Sequence, residues 1–145
     1  MDANELKGFP ELCELSARDR TALVELLEPK HFASGRRVSH AGAEAEGLIL
    51  VAQGQIRLEL NQAKHTEILD APVALGAHSL ISVGPCLATV IAQTPCDVWR
   101  LDRSAYRRLV DDEPRVACRL LEGILAQSAS LGRRLIAASE GDRRS

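Results

Sequence analysis

Apolar and polar positions change their period twice along this chain. Behind Ser16, a good N-cap residue, Ala17, Leu23, Leu26 and Leu27 recur at helical spacing. Asp19, three residues after the cap, completes an approximate capping box. Pro29 is expected to end this helix, because a residue before proline is pushed out of the α region. From Lys30 to Asp102 the period shortens to two. Short β-like runs (Lys30–Phe32, Arg37–His40, Gly47–Ala52, Gln55–Leu60, His65–Leu69, Val73–Leu75, Leu87–Ala92, Asp97–Leu101) alternate with turn pairs such as Ser34-Gly35, Gln53-Gly54 and Gly84-Pro85. In one of them Ile56, Leu58 and Leu60 alternate with Arg57 and Glu59, the mark of a strand with one wet face. Runs at roughly 8–10-residue spacing predict an all-β roll, barrel or sandwich.

After Asp102 the helical period returns. Arg103–Asp111 reads as a short helix capped by Asp102, and Pro114 suits the first turn of a last helix reaching about Ala138. Along that helix Ala117, Leu121, Ile124, Ser128, Leu131 and Leu135 step by four and three, an a/d stripe that predicts a two-helix homodimer seam. Leu120, Leu125 and Ile136 lie beside the stripe and are expected to pack back on the roll. The competing reading is a helix packed wholly on its own domain, and Ser128, Gly123 and Gly132 weaken the seam.

Composition narrows the function classes. A chain of 145 residues with 46% apolar positions suits one domain spanning 1–145, and 3% aromatics leave its core to Leu, Val, Ile and Ala. Eighteen basic against twenty acidic residues give a net charge of -2, with no general pull toward nucleic acid or an anionic membrane. No apolar run nears the roughly 20 residues of a membrane helix, and residues 1–7 lack a secretion-signal layout; the expectation is a cytoplasmic protein. Cysteines 13, 86, 96 and 118 show no Cys-x-x-Cys spacing and are expected as small buried apolar residues, with no metal and no cofactor. Histidines 31, 40, 65 and 78 show no His-x-His spacing. His65 and Glu67 share a strand face, which reads as a surface pair before it reads as half of a barrel-type metal site. No nucleophile elbow or phosphate-cradling glycine loop is present, so no enzyme is expected.

The order helix, eight-strand roll, short helix, long helix resembles the cyclic-nucleotide-binding domain. The segments that carry the likeness are Phe9 to Leu27, Phe32 to Val38, Gly47 to Leu58 with Gly54 at the turn, and Ala88 to Val110. The resemblance implies a mainly β fold, a double-stranded β-helix or jelly-roll with an N-terminal helix and a long C-terminal dimerisation helix; the roll would occupy about 30–102 and the C-terminal helices about 103–138. It also implies a pocket for a cyclic phosphate, an anion that needs backbone N–H groups at a helix N-terminus and a cation, best an arginine. The family's cassette (Phe-Gly-Glu, a short helix, Pro-Arg-Ala) aligns here with Leu75 to Thr89. Gly76, Leu80, Pro85 and Thr89 keep the frame, but Ala77 stands in place of the glutamate and Cys86 in place of the arginine. The candidate pocket residues are therefore Leu75, Gly76, Ala77, His78, Ser79, Cys86, Leu87 and Thr89, with Ser128 from the last helix. Losing two hydrogen bonds to charged groups at ~1.5–3 kcal/mol each weakens a cyclic nucleotide by about two to four decades.

The expected function is a non-catalytic regulatory module with a degenerate pocket, acting as a homodimer through an unidentified protein partner. The alternative is a sensor of a small ligand in the same cavity, either a weakly held cyclic nucleotide or haem through His78. Family transcription factors carry a helix-turn-helix after the long helix. This sequence ends at Ser145, so no direct sequence-specific nucleic acid binding is expected.

Overall fold

The computed structural model describes residues 3–40, 42, 47–60, 65–76, 80 and 88–127. The chain enters through two 3-10 helices, Ala3–Gly8 and Pro10–Leu12, and an α-helix, α1 (Ala17–Val24). Eight strands follow: β1 (Glu28–Phe32), β2 (Arg37–Ser39), β3 (Gly47–Gln53), β4 (Gln55–Leu60), β5 (His65–Asp70), β6 (Val73–Leu75), β7 (Thr89–Ala92) and β8 (Cys96–Asp102). The helix α2 (Arg103–Asp112) leaves β8 directly, and a third, α3, is described over 114–127.

The strands form two four-stranded antiparallel sheets, ordered β1-β8-β3-β6 and β2-β7-β4-β5. Alternation along each strand divides the apolar residues between two cores. Val51, Ile56, Val90, Ala92, Cys96 and Val98 fill the space between the sheets. Leu48, Leu50 and Leu101 point from the other face of the first sheet into a helical layer built from Leu6, Phe9, Leu12, Leu15, Leu23, Tyr106, Leu109, Leu120 and Ile124. β8 shows the division within one strand: Val98 faces inward, whereas Trp99 and Leu101 face the helices. Each fully buried leucine contributes about 1.5–3 kcal/mol.

The N-terminal helices are tied to α3. The capping box at α1 is complete, with Ser16 Oγ accepting from the Asp19 N–H and Asp19 Oδ2 accepting from the Ser16 N–H. The same Asp19 oxygen accepts from Arg119 Nη1 at 2.6 Å. Nearby, α3 lies so close to the first turns that a Cβ on Gly123 would collide with the Glu11 carbonyl oxygen. Glycine is therefore required there by proximity, at the cost in helix propensity that glycine carries.

Several expectations are corrected. The helix α1 ends at Val24, and Pro29 lies inside β1 instead of marking the helix stop. β1 is an edge strand, where the missing N–H of proline breaks no ladder. The two entry 3-10 helices have no periodic signal in the sequence. Of the described cysteines only Cys96 is buried; Cys13 and Cys118 are exposed. Leu125 does not pack back on the roll and is 65% exposed. Asp102 does cap α2, its Oδ1 accepting from the Ala105 N–H at 2.7 Å.

Candidate ligand pocket

The pocket wall starts from strand pairing. β6 lies beside β3 with Leu75 opposite Ile49 and Val73 opposite Val51. Leu75 and Val73 join Val38, Ile49, Leu58 and Leu69 against the core between the sheets, so this end of the roll presents hydrocarbon. Gly76 then turns out of the strand at φ 72°, a left-handed conformation that glycine adopts without strain. Leu80, four residues on, is buried in the helical layer with Leu48, Leu50 and Leu101. Leu80 thus lies on the face of the first sheet opposite to Leu75.

Thr89 is placed differently from the expectation. It pairs with Glu59, on the same parity as Arg57 and Ile91, while Ile56, Leu58, Val90 and Ala92 take the inward parity. Its side chain belongs to the outer face of the second sheet, so strand geometry removes it from the pocket wall. Leu75 ends β6 and Gly76 follows it. Ala77, His78, Ser79, Cys86, Leu87 and Ser128 lie outside the described residues, as do Leu131 and Leu135 of the expected seam.

Within 114–127 the expected dimer stripe splits. Ala117 and Ile124 are buried in the chain's own helical core with Val116 and Leu120, and Leu121 packs partly against it. The solvent side of the helix instead carries Cys118 and Leu125. The apolar periodicity at 117 and 124 therefore encodes intramolecular packing, with Leu121 half-buried beside it and Cys118 and Leu125 facing solvent.

Among the described residues three titrating groups are perturbed. Burial alone would raise the Asp19 carboxyl, but the Ser16 hydrogen bonds and Arg119 together hold it below its ordinary value. Burial, then the Asp97 charge, pushes the Cys96 thiol up, so it is a packed side chain and not a nucleophile. Burial raises the Tyr106 hydroxyl, with Cys118 adding to it. Among the described residues no three His, Cys, Asp or Glu side chains converge as a metal site. Nor is any helix among them long and apolar enough to cross a membrane.

The sequence reading missed a second concavity. On the outer face of the first sheet a cleft of about 560 Å³ is lined by Glu5, Pro29, Lys30, His31, Ala52, Gln53, Asp97, Val98 and Trp99. It depends on β1 lying beside β8, a pairing 66 residues apart at His31 and Asp97, and only the chain's single tryptophan could have hinted at it.

This roll, with its inward wall, left-handed exit at Gly76 and flanking helices, defines a class. The family model for the cyclic nucleotide-binding domain matches residues 29–113, and the chain belongs to that family. A glutaminase 2 of Bradyrhizobium diazoefficiens is 31% identical over 131 residues, 88% of this chain and 20% of that protein. The HTH-type transcriptional regulator Cmr of Mycobacterium tuberculosis is 31% identical over 121 residues, 81% of this chain and 50% of that protein. The chain thus spans a half or less of either curated relative. Among solved structures, a cyclic nucleotide-binding domain from Methylobacillus flagellatus superposes with TM-score 0.77 at 17% identity, covering 91% of this chain and 80% of that one. The N-terminal domain of a transcriptional regulator from Streptomyces coelicolor superposes with TM-score 0.76 at 21% identity, over 90% of this chain and 94% of that one. These two likenesses establish the shared fold.

Proposed function

We propose that this chain is a non-catalytic regulatory module whose cyclic-nucleotide pocket has degenerated, and that it works as a cytoplasmic homodimer on a protein partner. The observation that carries this reading is the sequence substitution of both charged cassette positions, by Ala77 and Cys86, in a roll whose described inward residues include Val38, Ile49, Leu58, Val73 and Leu75. An anion buried there would lack the carboxylate and guanidinium that the family supplies at those two positions, and an uncompensated charge is expelled from an apolar site. The homodimer is supported by the apolar side chains that α3 leaves outside its own core, Leu125 above all. The perturbed thiol and phenol are structural, which favours a role without chemistry.

A second reading has one specific observation in its favour. Arg100 shares the inward parity of Val98 and stands in one row with Ile49 and Leu75 across β8, β3 and β6. It pairs with Glu28 of β1 at 3.4 Å. A cation on that wall would support weak binding of a cyclic nucleotide. The haem alternative rests on His78 alone.

Calorimetric titration with cyclic AMP and cyclic GMP decides between them. No heat at ~1 mM ligand, where binding would be worth only about -4 kcal/mol, supports the silent pocket. Micromolar binding overturns it and makes the protein a nucleotide sensor.

A further inference from the structure

The cleft on the outer face of the first sheet has a definite chemistry. Trp99 packs against the helical core on one side and lines the cleft on the other. Pro29 stands opposite it in the β1–β8 pairing and lines the same cleft. Asp97, two residues earlier on the same strand face, accepts a hydrogen bond from His31 Nδ1 at 2.8 Å. An ionised carboxylate offers about four acceptor positions, and this bond uses one. Glu5, from the first 3-10 helix, brings a second carboxylate from a separate element. Gln53 adds an amide, and Lys30, on the opposite strand parity to His31, adds a cation to the lining.

The lining also holds Lys30, and His31 is already bonded to Asp97, but the aromatic face with two carboxylates beside it still favours a cation. A planar cation suits it better than a compact one, because a guanidinium stacks on an indole and grips carboxylates with forked donors, whereas an ammonium stays strongly hydrated. The volume, about 560 Å³, lies inside the range of ~300–1,000 Å³ typical of ligand pockets and exceeds one guanidinium, leaving room for flanking peptide backbone. This concavity lies on the face of the sheet opposite to the inward pocket wall, so a ligand in either leaves the other accessible.

We propose that this cleft receives an arginine side chain from a linear segment of a protein partner, stacked on Trp99 and hydrogen-bonded to Asp97 and Glu5. The inference rests on the reading that the module acts through a protein partner, and it supplies the chemistry of that contact.

The test uses the full chain and a defined probe, a capped Gly-Gly-Arg-Gly-Gly peptide, against the same peptide with uncharged, isosteric citrulline. Trp99 is the chain's one tryptophan, so its emission reports on the cleft directly. The arginine peptide should change that emission saturably in the millimolar range while the citrulline peptide does not. Calorimetry on Asp97→Asn combined with Glu5→Gln should weaken the arginine peptide about tenfold. An unshifted melting temperature would show that this variant is folded. Equal responses to the two peptides, or no saturable response to arginine, overturn the proposal. Sedimentation on the same samples separates the two readings: a dimer that persists while the arginine peptide fails removes the cleft and leaves the regulatory module standing.

Discussion

Asp19 and Arg119 stand 100 residues apart in sequence and 2.6 Å apart in space, and they join the first α-helix to the last. The carboxylate is buried and also closes the cap of α1, whereas the guanidinium is 43% exposed. The two ends of this bond therefore carry unequal weight. Asp19→Ala should cost about 2–3 kcal/mol, from the lost cap and a partner left unsatisfied. Arg119→Ala should cost about 1 kcal/mol, since a half-exposed donor is replaced by water. Urea unfolding of both variants beside the parent checks the ranking; equal losses would contradict it.

The same carboxyl sets an acid limit. Its value in the folded chain lies below the ordinary 3.8, so its contribution to stability is complete above that value and is lost as pH falls through the lower folded value. The stability gap between the parent and Asp19→Asn should be constant from about pH 5 to 7 and shrink toward about pH 2. A gap that widens on acidification would show the sign to be wrong.

Gly123→Ala should act out of proportion to its size. Alanine is the better helix former by about 1 kcal/mol, yet here its methyl meets the Glu11 carbonyl oxygen. A net loss of about 1–3 kcal/mol is expected, as for other overpacked sites. Thermal melting reads it, and a stabilised variant would mean that α3 can move aside freely.

Helix α3 predicts a division between neighbours. Leu125→Glu, on the solvent side, should dissociate the proposed dimer in sedimentation with a change of stability within about 0.5 kcal/mol. Ile124→Ala, one residue away and buried in the chain's own core, should lose about 2–5 kcal/mol. A dimer untouched by Leu125→Glu removes this face from the interface.

Restoring the cassette is the complementary experiment. Ala77→Glu with Cys86→Arg should raise cyclic AMP affinity by about two to four decades, by supplying two charge-assisted hydrogen bonds. Calorimetry on parent and variant measures the gain. An unchanged affinity would place the cause of any silence elsewhere in the pocket.

The roll was legible because one-sided strands announce themselves: Ile56 and Leu58 against Arg57 and Glu59 fix a face without any partner being known. The same reasoning misjudged Thr89, because a cassette alignment counts residues, while the face a residue takes depends on the parity of β7 against β4. It also misread α3. Ala117 and Ile124 keep a heptad step whether the helix meets a second copy or its own domain, and only the placement of Leu6, Leu12 and Leu109 beneath it decides. The outer cleft was illegible for a different reason. His31 and Asp97 become neighbours through an edge-strand pairing that no local pattern encodes.

Asp102 has one more consequence. It is the last residue of β8 and the N-cap of α2 at once, so strand and helix meet with no loop between them, and α3 resumes at residue 114 after Glu113. A joint of that kind has no backlash. With no loop to absorb a change, the direction of β8, which also holds Trp99 and Arg100, sets the direction in which α2 leaves the roll, and the backbone first departs from helical geometry beyond it, at Glu113.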